Sequence, residues 1–264
     1  NLMSFCKWGT SFSDRFCVPS GVRQGGVLSP LIFNVYMDDL VGDLRSSGVG
    51  CHILDVFIAA ILYADDLCLL APTRSSMQCL LDICQSYAKY WCIAYNTKKT
   101  KCMLFGKEHG RLEPVPMVLD TGNLSFVGTY KYLGVTVKAG KTFSCCPRAS
   151  NCSFYRSANT ILNATHGPSE VVQLRLLYSV CVPVLAYAAE VKVFSAREMI
   201  RLNTAVNDCI RRVFGFNRWE SVRSLRMGHG YPSMTEMFHS RVSSFETTLT
   251  SIGNRILAFL YNNV

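Results

Sequence analysis

Two short apolar runs, Val56 to Leu62 and Leu67 to Leu70, flank the tetrapeptide Tyr63-Ala64-Asp65-Asp66, and this segment restricts the fold more than any other. Runs of strand length on either side of a polar turn predict an antiparallel hairpin with its turn at the two aspartates. The wider stretch from Ile53 to Ala71 is broken by Asp55, Asp65 and Asp66, so it reads as protein core and not as a membrane span. The same holds for Val171 to Ala189, which is broken by Gln173, Arg175 and Pro183.

Helices are predicted on both sides of the hairpin. Starting at Ser29, the chain offers a cap residue, a proline at the first helical position and apolar residues at 32, 33, 36, 37, 40, 41 and 44, which sets a helix beginning near Pro30. A second amphipathic helix runs from about Ser75 to Cys92, with Met77, Leu80, Leu81, Cys84, Tyr87, Ala88 and Trp91 on its apolar stripe. Strands follow near Lys101 to Phe105 and Lys131 to Val137. The stretch from Ala139 to Ser153 is rich in Gly, Ser, Cys and Pro, and beyond it the periodicity is helical over Leu174 to Tyr187, Ala196 to Phe214 and Met234 to Phe259. The expected organisation is α+β: a sheet-and-helix part over 1–138, a linker over 139–160 and a helical part over 161–264.

Composition excludes several classes. A chain of 264 residues with 49% hydrophobic residues is no disordered tail, and its length allows one large domain or two moderate ones. A net charge of +9 points toward a polyanion, nucleic acid ahead of a membrane surface. The 13 cysteines are scattered through apolar runs without a CxxC, and the five histidines form no HxxxH or HExxH pair. The cysteines read as small hydrophobes in a reducing compartment, not as a disulfide or metal framework, and the histidines argue for no zinc site. No signal peptide pattern is present.

Four motifs could carry chemistry, and each has a plain structural alternative. Asp65 and Asp66 can present hard oxygen ligands to divalent metal, although Asp-Asp is equally an ordinary turn dipeptide. Gly21-Val22-Arg23-Gln24-Gly25-Gly26 lets backbone approach a flat partner while Arg23 and Gln24 offer donors, or is a flexible loop before a helix. Asn96-Thr97-Lys98-Lys99-Thr100-Lys101 contacts phosphate or is a solvated loop. Tyr130-Lys131-Tyr132-Leu133-Gly134-Val135 is otherwise an edge strand. Two decoys are set aside. Gly134 to Thr142 separates its glycines by five residues where a P-loop has four, and Asp38-Asp39 reads as a solvated helix face.

The order GVRQGGVLSP, YADD, NTKKTK, YKYLGV resembles the reverse transcriptases of non-LTR (LINE-type) retrotransposons. The helical tail, including RLNTAVNDCIRRVFGFNRW over 201–219, is similar to their thumb and following region. The resemblance implies a partial polymerase palm, an antiparallel sheet with packed helices, followed by an all-helical thumb-like region. It implies that Asp65 and Asp66 bind Mg²⁺ or Mn²⁺, Asp65 as the principal ligand, with Tyr63 and Ala64 flanking the primer end. It further implies that Gly21, Arg23, Gln24 and Gly25 position template and incoming nucleotide. Lys99 or Lys101 then lies near the nucleotide's phosphates, and Tyr132, Leu133 and Gly134 form a primer-grip hairpin. The implied partners are an RNA template, a DNA primer and deoxynucleoside triphosphates, with no membrane. The implied setting is intracellular, in cytoplasm and nucleus.

Such polymerases use a third carboxylate on a strand some tens of residues before the Gly-rich loop. Asp14, seven residues before Gly21, is too close to it to be that strand. The first metal-binding aspartate, the residue that screens ribose from deoxyribose, and the fingers are therefore expected to lie outside this sequence. Two expectations follow: an N-terminally truncated RNA-directed DNA polymerase performing two-metal nucleotidyl transfer, or an inactive retrotransposon remnant that only binds nucleic acid. Charge follows the first pattern. Residues 13–66 carry three basic and seven acidic side chains, residues 67–111 seven and two, and residues 128–156 five and none. An acidic centre flanked by basic segments suits a metal site that grips a phosphate backbone.

Overall fold

The computed structural model describes residues 2–18, 25–107, 115–163, 168–192 and 194–251, together with 253, 257 and 259. The chain divides into two compact units, one of Asn1–Thr97 with Met117–Leu124, the other of Lys98–Pro116 with Ser125–Val264.

The first unit opens with nested antiparallel ribbons, β1 (Leu2–Ser4) paired with β4 (Phe16–Val18) around β2 (Lys7–Trp8) and β3 (Ser11–Phe12). Helix α1 (Ser29–Ser46) follows, then the short pair β5 (His52–Ile53) and β6 (Val56–Phe57), the hairpin β7 (Ala60–Tyr63) and β8 (Asp66–Leu69), and helix α2 (Arg74–Tyr90). Helix α1 starts one residue earlier than its sequence suggests. Ser29 is its first residue and not its cap; Leu28 takes the cap position and makes no side-chain cap bond. Helix α2 is capped as its sequence requires, with Thr73 accepting from the Ser76 N–H.

The core of this unit lies where the two helices meet the β7–β8 hairpin. Met37, Leu40 and Leu44 of α1 pack with Leu80, Cys84 and Tyr87 of α2 and with Ala59. Ala60, Leu62, Leu67 and Leu69 press against that cluster from the hairpin. Each fully buried leucine here contributes about 1.5 to 3 kcal/mol by leaving water. Polar ties run through the same interface: the Tyr87 hydroxyl donates to Tyr36 O at 2.5 Å, and the Tyr36 hydroxyl donates to Trp91 O. Burial pushes the Cys84 thiol up to about 12, so it serves as a small hydrophobe. That reading of the cysteines holds for buried Cys84, Cys181 and Cys209, whereas Cys6, Cys17, Cys79, Cys92 and Cys152 are exposed.

After α2 come β9 (Lys101–Cys102) in the second unit, then β10 (Met117–Leu119) and β11 (Gly122–Phe126). Strand β10 pairs antiparallel with the start of β11, and α2 holds it by its backbone. Gln78 donates to Val118 O at 2.8 Å and accepts from Val118 N at 3.0 Å, and Gln85 accepts from Asp120 N at 3.1 Å. The described strands form sheets of only two or three members, where the sequence suggested one antiparallel sheet.

In the second unit the end of β11 pairs parallel with β9. A three-stranded antiparallel sheet follows, β12 (Thr129–Tyr132), β13 (Val135–Lys138) and β14 (Ser144–Cys145). The single strand expected over Lys131 to Val137 is therefore a hairpin that turns at Leu133-Gly134. Helix α3 (Arg148–Leu162) buries Phe154 and Ala158 completely, so residues within the 139–160 stretch contribute to a core.

The remaining helices are α4 (Glu170–Leu176), α5 (Val182–Ala186), α6 (Ala196–Phe214), α7 (Arg223–Gly228) and α8 (Met234–Ser251). A π-helical turn, Leu177–Cys181, separates α4 from α5 just before Pro183. Proline brings no N–H and crowds the preceding turn, so the ladder widens where one unbroken helix was expected. Helix α6 has a full capping box, with Ser195 and Glu198 each accepting the other's backbone N–H, and it ends at Gly215 with φ 67°. Phe154, Leu174, Leu177, Cys181, Leu185, Leu202, Cys209 and Ile210 form the centre of this core. No helix among the described residues is long and apolar enough to cross a membrane.

Candidate active site

The Asp65-Asp66 pair sits at the tip of the β7–β8 hairpin. The register is Ala60↔Leu69, Ile61↔Cys68, Leu62↔Leu67 and Tyr63↔Asp66, which leaves Ala64 and Asp65 as a two-residue turn. The turn therefore falls one residue before its expected place, and Asp66 is the first residue of the returning strand. Opposite residues share a face and faces alternate along a strand. Ala60, Leu62, Leu67 and Leu69 thus face the α1–α2 core, while Tyr63 and Asp66 lie together on the other face with Ile61 and Cys68. Ala64 takes φ 52°, the positive value that a two-residue hairpin requires at its first central position. Both carboxylates are exposed.

In kind these donors fit a divalent cation, because carboxylates exposed at a hairpin tip are hard oxygen ligands. In number they do not complete a site. Among the described residues no three of His, Cys, Asp and Glu are grouped so as to hold a metal. Asp38 and Asp39 are both exposed on α1, as a solvated helix face requires.

The other candidate residues divide between described and undescribed segments. Gly21, Arg23 and Gln24 lie outside the described residues. Gly25 adopts φ 77° just before α1, the left-handed conformation that glycine takes most readily. In the second unit, Lys99 lies in the turn over 97–99, and its carbonyl accepts from the Tyr130 hydroxyl at 3.3 Å. Lys101 begins β9, and its Nζ donates to Ser125 Oγ at 2.9 Å. Tyr132, Leu133 and Gly134 form the β12–β13 turn, with φ 44° at Leu133 and 79° at Gly134. Two successive positive φ values belong to the tight primed turn of a right-twisted hairpin. Tyr187, which no motif singled out, touches this turn: its hydroxyl donates to Leu133 O at 2.8 Å. No local pattern could have found it, since it lies 54 residues away in sequence.

The family model of the reverse transcriptase (RNA-dependent DNA polymerase) matches residues 4–137, which takes in both tight hairpins. The chain belongs to the reverse transcriptase family. The retrovirus-related Pol polyprotein from the type-2 retrotransposable element R2DM of Drosophila melanogaster is 32% identical over 146 residues, covering 51% of this chain and 13% of that protein. The RNA-directed DNA polymerase from mobile element jockey of Drosophila funebris is 24% identical over 259 residues, covering 91% of this chain and 27% of that protein. A Pol polyprotein from the type-1 element R2 of Popillia japonica is 29% identical over 135 residues, covering 48% and 22%. These relatives come from non-LTR retrotransposons, the class to which the order of motifs pointed. The chain spans only 13% to 27% of their lengths. The jockey similarity covers too much of the chain to stop at residue 137, so it extends into the helical region.

Proposed function

We propose that this reverse transcriptase chain forms part of the polymerising centre of a non-LTR retrotransposon RNA-directed DNA polymerase. Residues 1–138 supply palm structure, residues 139–160 link it to the rest, and residues 161–264 supply a helical thumb. The observation that carries the reading is the β7–β8 hairpin within the family match, whose tip exposes Asp65 and Asp66 above strands packed on the α1–α2 core. Asp65 and Asp66 would hold Mg²⁺ or Mn²⁺, Asp65 as principal ligand. When bound, such ions activate an attacking 3′-hydroxyl and stabilise a leaving pyrophosphate.

The remaining roles belong to the chain's own side chains and backbone. Tyr63, on the same strand face as Asp66, lines the primer end beside Ala64. Gly21, Arg23, Gln24 and Gly25 position template and incoming deoxynucleoside triphosphate, the arginine through charge-assisted bonds to phosphate. A lysine at 99 or 101 places positive charge at the departing pyrophosphate. Tyr132, Leu133 and Gly134 meet the primer strand. The template is RNA and the primer DNA.

Primer extension on an RNA template in Mg²⁺ or Mn²⁺ tests this reading. Extension is expected in the wild-type chain and is expected to fall roughly a hundredfold or more in Asp65→Ala, since losing even a ligand's supporting partner costs about 10- to 100-fold. A second reading, a remnant that only binds nucleic acid, is favoured by the want of a third acidic ligand beside the pair among the described residues. Salt-sensitive binding of RNA or DNA with no extension at any metal concentration would establish that second reading and sink the first.

A further inference from the structure

The β12–β13 turn is strained and held from outside. Leu133 occupies the left-handed region at φ 44°, where a side chain other than glycine costs about 1 to 2 kcal/mol. Such strain persists only where the surroundings fix the conformation. In the second unit the fixing group is Tyr187, the residue just after α5. Its hydroxyl donates to Leu133 O at 2.8 Å. Its ring lies under Gly134, so close that a Cβ added there would stand 2.8 Å from Cε1 and 3.1 Å from the hydroxyl oxygen. Gly134 therefore answers two demands, a φ of 79° and room for the ring.

Tyr187 is itself held. Lys192 Nζ donates to Tyr187 O at 2.6 Å and lies 6.0 Å above the ring centre. The Lys192 pKa is lowered by partial burial, and Cys145 and Glu190 beside it oppose that shift. Two residues past α5, Ala188 takes φ 54°, and Lys192 reaches back to the tyrosine. Tyr187, itself half-exposed, thus holds the turn at two points, the Leu133 carbonyl and the Gly134 Cα.

We propose that Tyr187 is a positioning residue: its hydroxyl bond to Leu133 O and its ring contact with Gly134 hold the Tyr132–Val135 turn in the one conformation in which it meets the primer strand. The contact with primer rests on the function proposed above; the brace rests on the geometry alone. Tyr187 acts through the turn, so a change there alters how the tip is held without removing any group that touches nucleic acid.

Two measurements on the full 264-residue chain separate these claims. The first is amide exchange over residues 129–138 in the wild type, in Tyr187→Phe and in the double variant Tyr187→Phe with Leu133→Gly. Removing the hydroxyl while keeping the ring is expected to raise exchange at the turn about three- to tenfold, as loss of one net hydrogen bond implies. Relieving the Leu133 strain should restore much of the protection, because the glycine needs no external hold. The second is the ratio of affinities for a 3′-recessed DNA primer on RNA and for the same duplex made blunt. The wild type should prefer the recessed end, Tyr187→Phe should lose most of that preference, and the double variant should regain it.

Unchanged exchange in Tyr187→Phe, or a rise spread evenly over α3 to α6, overturns the brace even if the recessed-end preference persists. A rise confined to the turn, in a chain whose wild type shows no such preference, overturns the proposed contact with primer and leaves the brace standing.

Discussion

The chain carries two hairpins of one design, Tyr63 to Asp66 and Tyr132 to Val135, and they are held in opposite ways. Each begins its two-residue turn after a tyrosine, and each places a residue other than glycine at positive φ, Ala64 at 52° and Leu133 at 44°. The first is supported at its base. Ala60, Leu62, Leu67 and Leu69 pack on the α1–α2 core, and among the described residues no side chain hydrogen-bonds to Ala64 or Asp65. The second is supported at its tip, by the Tyr187 hydroxyl and ring. Each arrangement matches the proposed role of its turn. A tip that must offer two carboxylates to a cation has to stay open, whereas a tip that touches a strand with backbone can be clamped from behind.

The largest effect is expected where the first hairpin is supported. Leu80 of α2 is fully buried in the core on which the hairpin packs. Leu80→Ala should cost about 2 to 5 kcal/mol, the usual range for a leucine cavity. Amide exchange across residues 60–69 is the measurement, and it should rise by orders of magnitude. If exchange there stayed unchanged, the base of the hairpin would not be its support, and the contrast with the second hairpin would collapse.

The next effect tests the second support from the turn side. Gly134→Ala combines a left-handed backbone with a methyl 2.8 Å from the Tyr187 ring, so a loss of about 1 to 3 kcal/mol is expected. In a Tyr187→Ala background the steric part is absent and the loss should shrink by at least about 0.5 kcal/mol, the lower edge of coupling between touching residues. Equal losses in both backgrounds would show that backbone strain acts alone and that the ring contact is incidental.

Much of the first unit was legible in the sequence because its elements rest on local signals. Of the seven residues placed on the stripe of α2, Leu80, Leu81, Cys84, Tyr87 and Ala88 are buried and Met77 is half-buried, whereas Trp91 is exposed and lies just past the helix end at Tyr90. The β7–β8 hairpin was legible from apolar runs around a polar turn, although its turn falls at Ala64-Asp65, because the Tyr63↔Asp66 pair closes the ladder one residue earlier in sequence than the two aspartates suggest. The second unit was harder to read wherever tertiary contact overrides composition. Helix α3 arises in a Gly, Ser and Cys-rich stretch because Phe154 and Ala158 have a core to enter. The Leu133-Gly134 turn was hidden inside Tyr-Leu-Gly-Val, where leucine gives no turn signal and only Gly134 hints at one. The candidate residues Asp65, Asp66, Lys99 and Tyr132 to Gly134 followed from motif order, while Tyr187 followed from nothing local.

The smallest effect concerns the strain at the open tip. Ala64→Gly removes the cost of a left-handed alanine, about 1 kcal/mol, but glycine loses about 0.4 to 1 kcal/mol more entropy on folding than alanine. The two nearly cancel, so stability should change by no more than about 0.5 kcal/mol, toward gain. Leu133→Gly is expected to show the same balance only when Tyr187 is replaced by Phe, since in the wild type the hydroxyl already fixes the turn. The informative quantity is thus the difference between the two glycine variants, read as turn-amide exchange in each. A loss above about 1 kcal/mol for Ala64→Gly would mean that the alanine methyl is held by contacts at the tip. The first hairpin would then be clamped like the second, and Asp65 and Asp66 would owe their exposure to that clamp and not to the core-packed strands beneath them.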